Sequence, residues 1–295
     1  MKIKEIGSLF KSAYKEWNEK DPFRQSAVIA YYAIFSIPGL LVLIISVTGF
    51  FFGNETVNSN IITEVSKTLG EATGKQIKEI LENLNHSKST VLGSIIGGIV
   101  LLVGATGVFV ELQKTLNIIW KVKVVPQKGI WPVLKARLFS FGLILAIAFL
   151  LLVSLVVSTA IAAMGNLVNS DDSGILSFIY NILNIVFSLA IISVLFAIMF
   201  KFLPDAKIKW KHVWLGGLVT GILFTLGKTA LAFYFGKAQP ASTYGAAGSI
   251  ILILLWVSYS SMIMFFGAEF TAAFANKYSG IVPPSEIAKK RYLRK

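Results

Sequence analysis

The chain has 295 residues, of which 55% are hydrophobic and 15% charged, and it carries a formal net charge of +13 at pH 7. This composition, with a mean hydropathy of +0.71, excludes an ordinary soluble domain, in which about 25% of residues are charged. The sequence contains no cysteine, which excludes a disulfide framework and a thiolate metal site.

Residues 1–24 form a separate amphipathic segment at the start of the chain. Apolar residues recur there at steps of three and four, with lysines on the other faces; they are Ile3, Ile6, Phe10, Ala13 and Trp17. This spacing predicts a helix. We expect the helix to lie on the cytoplasmic membrane surface as an interfacial anchor, and docking onto a protein partner is the alternative.

Six long apolar runs dominate residues 25–276. They cover residues 27–52, 90–112, 138–164, 176–202, 213–235 and 246–275. Each reaches the roughly 20 residues that an α-helix needs to cross a bilayer. Stretches such as 143–157 are apolar on every face, unlike the alternating strands of a membrane β-barrel. The sequence therefore predicts an all-α, polytopic membrane protein with six transmembrane helices.

Residues 53–89, between the first two runs, are too polar to enter lipid. Apolar residues keep helical spacing on both sides of Gly70 and Gly74, which predicts two short extracytoplasmic helices. These helices either cap exposed apolar surface or cover the mouth of a cavity as a lid.

The cations are unevenly distributed over the segments that connect the runs. About 22 lie before the first run, between the second and third, between the fourth and fifth, and after the sixth, against about 5 in the other connections. The positive-inside tendency places the cation-rich segments in the cytoplasm. We therefore expect two cytoplasmic termini and a basic cytoplasmic tail at 277–295, and no nucleic-acid partner is needed to explain the charge.

The sequence contains few residues in the patterns that catalytic sites require. Its two histidines, His86 and His212, lie far apart in the chain, and the serines have no adjacent histidine or lysine in a hydrolase pattern. No phosphate-binding glycine-rich motif of an ATPase is present. We expect no catalytic residue, no metal and no cofactor.

Three ionisable residues lie within the runs: Glu111, Lys228 and Glu269. A charge at such a position costs several kcal/mol unless it meets a partner, water or the interface. For both glutamates one interpretation is pairing with Lys114 or Lys201. The other is that Glu269 couples protons or binds a headgroup. Lys228 either extends toward the outer interface or binds an anion in a cavity that opens to the outside.

The first run contains a helix breaker. Pro38 with Gly39 follows Tyr31, Tyr32 and Ser36, and a proline inside a helix frees backbone carbonyls that other groups must satisfy. The break is either a packed kink or part of a binding site.

Glycine pairs at a spacing of four mark faces for close helix packing. Gly217 and Gly221 form one pair, and Gly93 and Gly97 form another. We expect both pairs to pack within one chain, in preference to a dimer interface.

Four sequence blocks carry a resemblance to a known family. They are Ala-Tyr-Tyr-Ala-Ile-Phe-Ser-Ile-Pro at 30–38, Glu-Leu-Gln-Lys-Thr-Leu-Asn-Ile-Ile-Trp at 111–120, Ser-Thr-Tyr-Gly at 242–245 and Phe-Gly-Ala-Glu-Phe at 266–270. In this order and spacing they resemble the YihY/BrkB family, some members of which were historically designated ribonuclease BN. The resemblance implies a six-helix protein of the bacterial cytoplasmic (inner) membrane. It adds Asn117, Tyr244 and Gly245 to the candidate site residues.

Two functions of different classes are compatible with these features. The first is a non-ATP transporter or flippase-like permease for an amphiphilic or anionic solute, in contact with membrane lipids. In it Glu269 binds or couples, Pro38 opens the first helix and Lys228 attracts anionic groups. The second is a membrane scaffold or assembly partner of a cell-envelope complex, with residues 56–86 as the docking surface. The sequence does not indicate an oligomeric state.

Overall fold

The structure is a computed structural model that describes residues 3–36, 59, 62–63, 66, 74–75, 78, 91–124, 174–238, 248–285 and 288–290. In these residues the chain is mostly helical. The helices are α1 (Ile3–Glu19), α2 (22–36), α3 (Val91–Ile119), α4 (Gly174–Phe202), α5 (Trp210–Ala238) and α6 (Gly248–Ser279). Two three-residue strands, β1 (Val122–Val124) and β2 (Ala288–Lys290), pair antiparallel.

Three helices of the described part are long and apolar enough to cross a membrane. The qualifying segments are Ile182–Phe202, Trp210–Phe235 and Ile250–Ser279, and they agree with the last three predicted spans. The second predicted span lies within α3 from residue 91 onward, and the first is helical as far as residue 36. The third predicted span and most of residues 53–89 lie outside the described residues.

The ends of the helices follow from local backbone chemistry. Pro22 is the first residue of α2, where its missing N–H costs nothing. Gly280 follows the last residue of α6 and has a φ of 73°, the left-handed conformation that glycine adopts freely at a helix end. Lys121, two residues past the end of α3, has the same conformation with a φ of 55°, which costs a side-chain-bearing residue about 1 kcal/mol.

The chain divides into two compact units, and α3, α5 and α6 contribute to both. Unit 1 consists of Met1–Glu19, Gln113–Thr225 and Met264–Lys295. Unit 2 consists of Lys20–Leu112 and Leu226–Ile263.

In unit 1, the apolar face of α1 packs against other helices. Ala13 is completely buried, and the ring of Phe10 lies 4.9 Å from that of Phe270 on α6. Trp17 meets Phe266 edge to face at 6.1 Å. The predicted amphipathic helix is present, but protein covers the apolar face that we expected to rest on lipid.

The C-terminal segment of unit 1 is fastened to other parts of the chain. The backbone N–H of Ser285 donates to the carbonyl of Asp205 at 2.9 Å, and that of Lys207 donates to Pro283 at 2.9 Å. Farther on, β2 pairs with β1. The sequence indicated only a basic tail here and an all-α fold, so the two strands are a difference from that prediction.

Candidate functional site around Glu269

The section of α6 around Glu269 is buried on every side. Five consecutive residues are at most 5% exposed: Ala268, Glu269, Phe270, Thr271 and Ala272. Because consecutive helical residues point in all directions around the axis, protein surrounds this section completely. Glu269 itself is 3% exposed and lies within the segment Ile250–Ser279, which is long and apolar enough to cross a membrane.

In the same part of the chain, α5 and α6 cross through two interlocked glycine–threonine pairs. Thr220 of α5 lies against Gly267 of α6, where an added Cβ would be 2.8 Å from the Cβ of Thr220. Thr271 of α6 lies against Gly216 of α5 at the same distance. Each threonine also donates to the carbonyl of the glycine on its own helix, at 2.6 Å for Thr220 and 2.7 Å for Thr271. The close approach fixes the position of α6 against α5.

An ionised carboxylate that is buried to this degree needs compensation. Burying an isolated carboxylate costs many kcal/mol, so buried charges are paired or hydrogen-bonded. Glu269 has an interaction partner in the structure, and so do Glu111 and Lys228. A buried carboxylate with a partner, in a helix apolar enough to cross a membrane, can hold a proton or a cationic group.

A second polar group in unit 1 joins α3 to the turn between α4 and α5. The side chains of Asn117 and Asp205 are both buried. Asn117 Nδ2 donates to Asp205 Oδ2 at 2.7 Å, and Asn117 Oδ1 accepts the backbone N–H of Asp205 at 2.7 Å. Gln113 Nε2 adds a donor to the same carboxylate oxygen at 3.2 Å. Asn117, a candidate site residue, therefore holds the turn in position.

Lys201, one of the cations expected to pair with a glutamate, is held elsewhere. Its Nζ donates to the backbone carbonyl of Ile208 and lies 5.7 Å from the centre of the Trp210 ring. This arrangement differs from the expected pairing with Glu111 or Glu269. It stabilises the end of α4 and the start of α5 instead.

Sequence reasoning missed His212, which is 1% exposed at the start of α5. Its Nε2 lies 3.0 Å from the Ser279 hydroxyl, and its ring meets Phe274 at 5.5 Å. Within the described residues its Nδ1 has no hydrogen-bond partner. In that same part of the chain, no group of three histidine, aspartate or glutamate side chains could hold a metal ion.

Five other candidates belong to unit 2. Tyr31 is 58% exposed, whereas Tyr32 packs so closely on Gly107 that a Cβ added there would overlap the Tyr32 ring. The Ser36 hydroxyl donates to the carbonyl of Ala33 at 2.9 Å, which is a local helix bond. Glu111 and Lys228 are half-buried.

The remaining candidates, Pro38, Tyr244 and Gly245, lie outside the described residues. Of the others, the structure places Asn117 and Glu269 in unit 1 and the rest in unit 2. The expectation of one shared internal surface therefore stays a prediction.

Comparison with known proteins identifies relatives over most of the chain. The family described as "Virulence factor BrkB" matches residues 13–290. A UPF0761 membrane protein of Saccharophagus degradans is 26% identical over 274 residues, covering 92% of this chain and 60% of the relative. A UPF0761 membrane protein of Verminephrobacter eiseniae is 28% identical over 225 residues, which cover 76% of this chain and 51% of the relative.

A UPF0761 membrane protein of Vibrio cholerae is 28% identical over 226 residues and is covered to 70% of its length. The chain thus spans only about half to three fifths of the length of the first two relatives. No solved structure matches the chain. Because the family match extends over nearly all of the sequence, as the four sequence blocks indicated, the chain belongs to the BrkB family of membrane proteins.

Proposed function

We propose that this membrane protein has six spans, lies in the bacterial inner membrane and has both termini in the cytoplasm. Supporting this topology, α1, β1, the turn at 203–209 and β2 all belong to unit 1. These are the segments that the positive-inside tendency assigns to the cytoplasm. In this proposal residues 53–89 are extracytoplasmic and residues 277–295 are cytoplasmic. The described part of 277–295 is bonded to other residues of unit 1.

Within that membrane we propose a permease, driven without ATP, for an amphiphilic or anionic solute. The observation that carries the proposal is the burial of Glu269 within a helix that is long and apolar enough to cross a membrane. Ionisable residues in such positions are costly and typically mark substrate or ion pathways. For packing alone, an apolar residue at 269 would fill the same space without that cost.

Three residues have roles in this proposal. Glu269 binds the solute or couples its movement to protons. Lys228 lies on the part of α5 that belongs to unit 2, where it attracts anionic groups from the outer side. Pro38 opens the first span so that backbone carbonyls can line the path.

Transport is tested with the purified full chain reconstituted into liposomes that contain fluorescent phosphatidylglycerol as the anionic amphiphile. Quenching from outside measures how quickly the labelled lipid crosses the bilayer. We expect flux with wild type and loss of flux with Glu269→Gln, which keeps the size of the side chain but removes its charge. The matched control is Glu19→Gln, which makes the same change on the exposed surface of α1.

Both variants are checked for an unchanged unfolding temperature in detergent. Undiminished flux with a folded Glu269→Gln protein rules out the proposed role of Glu269. The scaffold alternative is supported by two results together. Wild-type protein would move no more lipid than empty vesicles, and it would copurify with an envelope protein only when residues 56–86 are present.

A further inference from the structure

The C-terminal segment of unit 1 is attached to the rest of the unit at two places that differ in chemistry. Residues 283–285 are held by backbone hydrogen bonds to the turn at 203–209. Residues 288–290 form β2, which pairs with β1 just beyond the end of α3. We call this pairing of β1 with β2 the clasp, because it joins the C-terminal segment to α3.

The clasp has one face that is covered by protein and one that is open to solvent. Val122 of β1 is 2% exposed and Ala288 of β2 is 8% exposed, which shows that their face is covered. The opposite face carries Lys123 and Lys289, and both of these lysines are exposed. They are direct cross-strand partners. Because side chains alternate between the faces of a strand, no other side chain of the clasp lies between these two.

The two opposed lysines repel each other across the clasp. Like charges directly opposite each other destabilise a strand pair. Within the residues that the structure describes, neither Lys123 nor Lys289 has an ion-pair partner. Glu16, the acidic side chain that approaches the start of β1, pairs with Lys121 at 3.3 Å instead. The clasp is therefore held against an electrostatic repulsion that no acidic side chain of the described part offsets.

The strength of this repulsion depends on salt. The Cβ atoms of direct cross-strand partners lie about 5 Å apart, and Lys290 adds a third ammonium group at the next position of β2. Charges interact over about 30 Å at 0.01 M ionic strength but over only about 3 Å at 1 M. Because both lysines are exposed, salt reaches them freely, so the repulsion is strong in dilute salt and screened in concentrated salt.

We infer that the clasp is a closure of the C-terminal segment that responds to ionic strength, closing in concentrated salt and opening in dilute salt. Opening separates β2 from β1, whereas residues 283–285 stay bonded to the turn, because those bonds join backbone groups only. Ions become concentrated when water leaves a compartment, so the closure responds to water loss. That this compartment is the cytoplasm rests on the proposed topology. The closure itself does not depend on the permease proposal, because it concerns strand pairing and not flux.

Opening is measured by hydrogen exchange and mass spectrometry on the full chain in phosphatidylcholine nanodiscs, whose headgroups carry no net charge. Exchange of residues 122–124 and 288–290 is compared at about 0.01 M and about 1 M sodium chloride at the same pH. Synthetic peptides of both segments correct for the effect of salt on the chemical exchange rate. The test variants are Lys123→Glu and Lys123→Gln. The matched control is Lys209→Glu, which makes the same change at an exposed lysine of unit 1 outside the clasp.

In wild type we expect both strands to exchange about threefold faster, or more, at the lower salt concentration. Lys123→Glu places opposite charges across the clasp, so its exchange should instead become faster at the higher salt concentration, where the attraction is screened. Lys123→Gln should lose most of the salt dependence, because one of the two opposed charges is absent. The control Lys209→Glu should keep the wild-type salt dependence.

Two results would overturn the inference. One is equal exchange of the wild-type strands at both salt concentrations, or a Lys123→Glu protein with the wild-type trend. The other is a salt effect of the same size at the backbone N–H groups of Lys207 and Ser285, which are bonded outside the clasp. If Lys123→Glu does not fold, Lys289→Glu places opposite charges across the clasp from the other strand and gives the same decision.

Discussion

Thr220 of α5 and Gly267 of α6 are in such close contact that no side chain fits at position 267. A Cβ added there would lie 2.8 Å from the Cβ of Thr220, and the hydroxyl oxygen would be closer still. Thr220 is fully buried and its hydroxyl is bonded to the carbonyl of Gly216 at 2.6 Å, so it cannot turn away without losing that bond. The contact makes the glycine two residues before Glu269 a packing requirement.

Gly267→Ala is therefore expected to destabilise the protein by about 1 to 3 kcal/mol, the cost of overpacking a close helix contact. Thermal unfolding in detergent, followed by tryptophan fluorescence, measures the change. Adding Thr220→Ala should recover part of the loss, because the hydroxyl and methyl groups that crowd the new carbon are then absent.

The control for this prediction is Gly7→Ala. Nothing lies within 4 Å of a Cβ at Gly7, which is exposed within α1, so alanine there should stabilise the helix by about 0.5 to 1 kcal/mol. A Gly267→Ala protein as stable as Gly7→Ala would contradict the packing argument.

Asn117 and Asp205 make two reciprocal hydrogen bonds, and their chemistry predicts a specific pattern of rescue. Asn117→Asp places two buried carboxylates together and removes a donor, with an expected cost of about 3 kcal/mol. Combining it with Asp205→Asn restores a donor and an acceptor across the pair, while residue 117 still accepts the backbone N–H of residue 205. We expect the double variant to unfold within about 1 kcal/mol of wild type. Additive losses in denaturation curves would show that the pair does not act as a unit.

Lys201 is predicted to stabilise the α4–α5 turn through the hydrogen bond that its ammonium group donates to the Ile208 carbonyl, and not through its charge alone. Lys201→Met keeps the length of the side chain but leaves the carbonyl of Ile208, which is 1% exposed, without its ammonium donor. We expect a loss of about 1 to 2 kcal/mol in thermal unfolding. Lys209→Met removes an exposed cation of the same turn and should change stability little. Equal stability of the two variants would argue against the hydrogen bond.

Local pattern was sufficient to predict the long helices and part of their packing. Runs 176–202 and 213–235 lie in α4 and α5, and run 246–275 lies in α6 from residue 248 onward, because length and apolarity define a membrane-crossing helix. The glycine pair of α5 was also predicted correctly as an intrachain contact. A Cβ at Gly217 would lie 2.9 Å from the backbone N of Ala197, and one at Gly221 would lie 2.6 Å from the Ser193 hydroxyl.

Contacts between distant residues could not be predicted in this way. Asp205 reads as an ordinary turn residue, and its partner Asn117 is 88 positions away. The strands β1 and β2 have only three residues each, too few to produce an alternating pattern. The charge of Glu269 within an apolar run singled this residue out, because such a charge is costly wherever it is not compensated, and its role stays a prediction.

The amphipathic pattern of α1 predicts that its apolar face is buried. The pattern does not predict whether lipid or protein covers that face. Phe10→Ala should release α1 from α6, since the Phe10 ring lies 4.9 Å from Phe270 and 6.0 Å from Phe266. For this half-buried ring we expect a loss of about 2 kcal/mol, which would speed hydrogen exchange in residues 3–19 by about tenfold or more. Exchange is measured in nanodiscs, so that lipid is present to compete for the apolar face.

Tyr14→Ala is the matched control, because it removes an aromatic ring that is 58% exposed. If α6 holds α1, Phe10→Ala speeds exchange and Tyr14→Ala does not. If exchange in residues 3–19 is instead unchanged by Phe10→Ala in nanodiscs but fast for wild type in detergent, then lipid and not α6 holds the helix. That result would support the interfacial anchor that the sequence predicts.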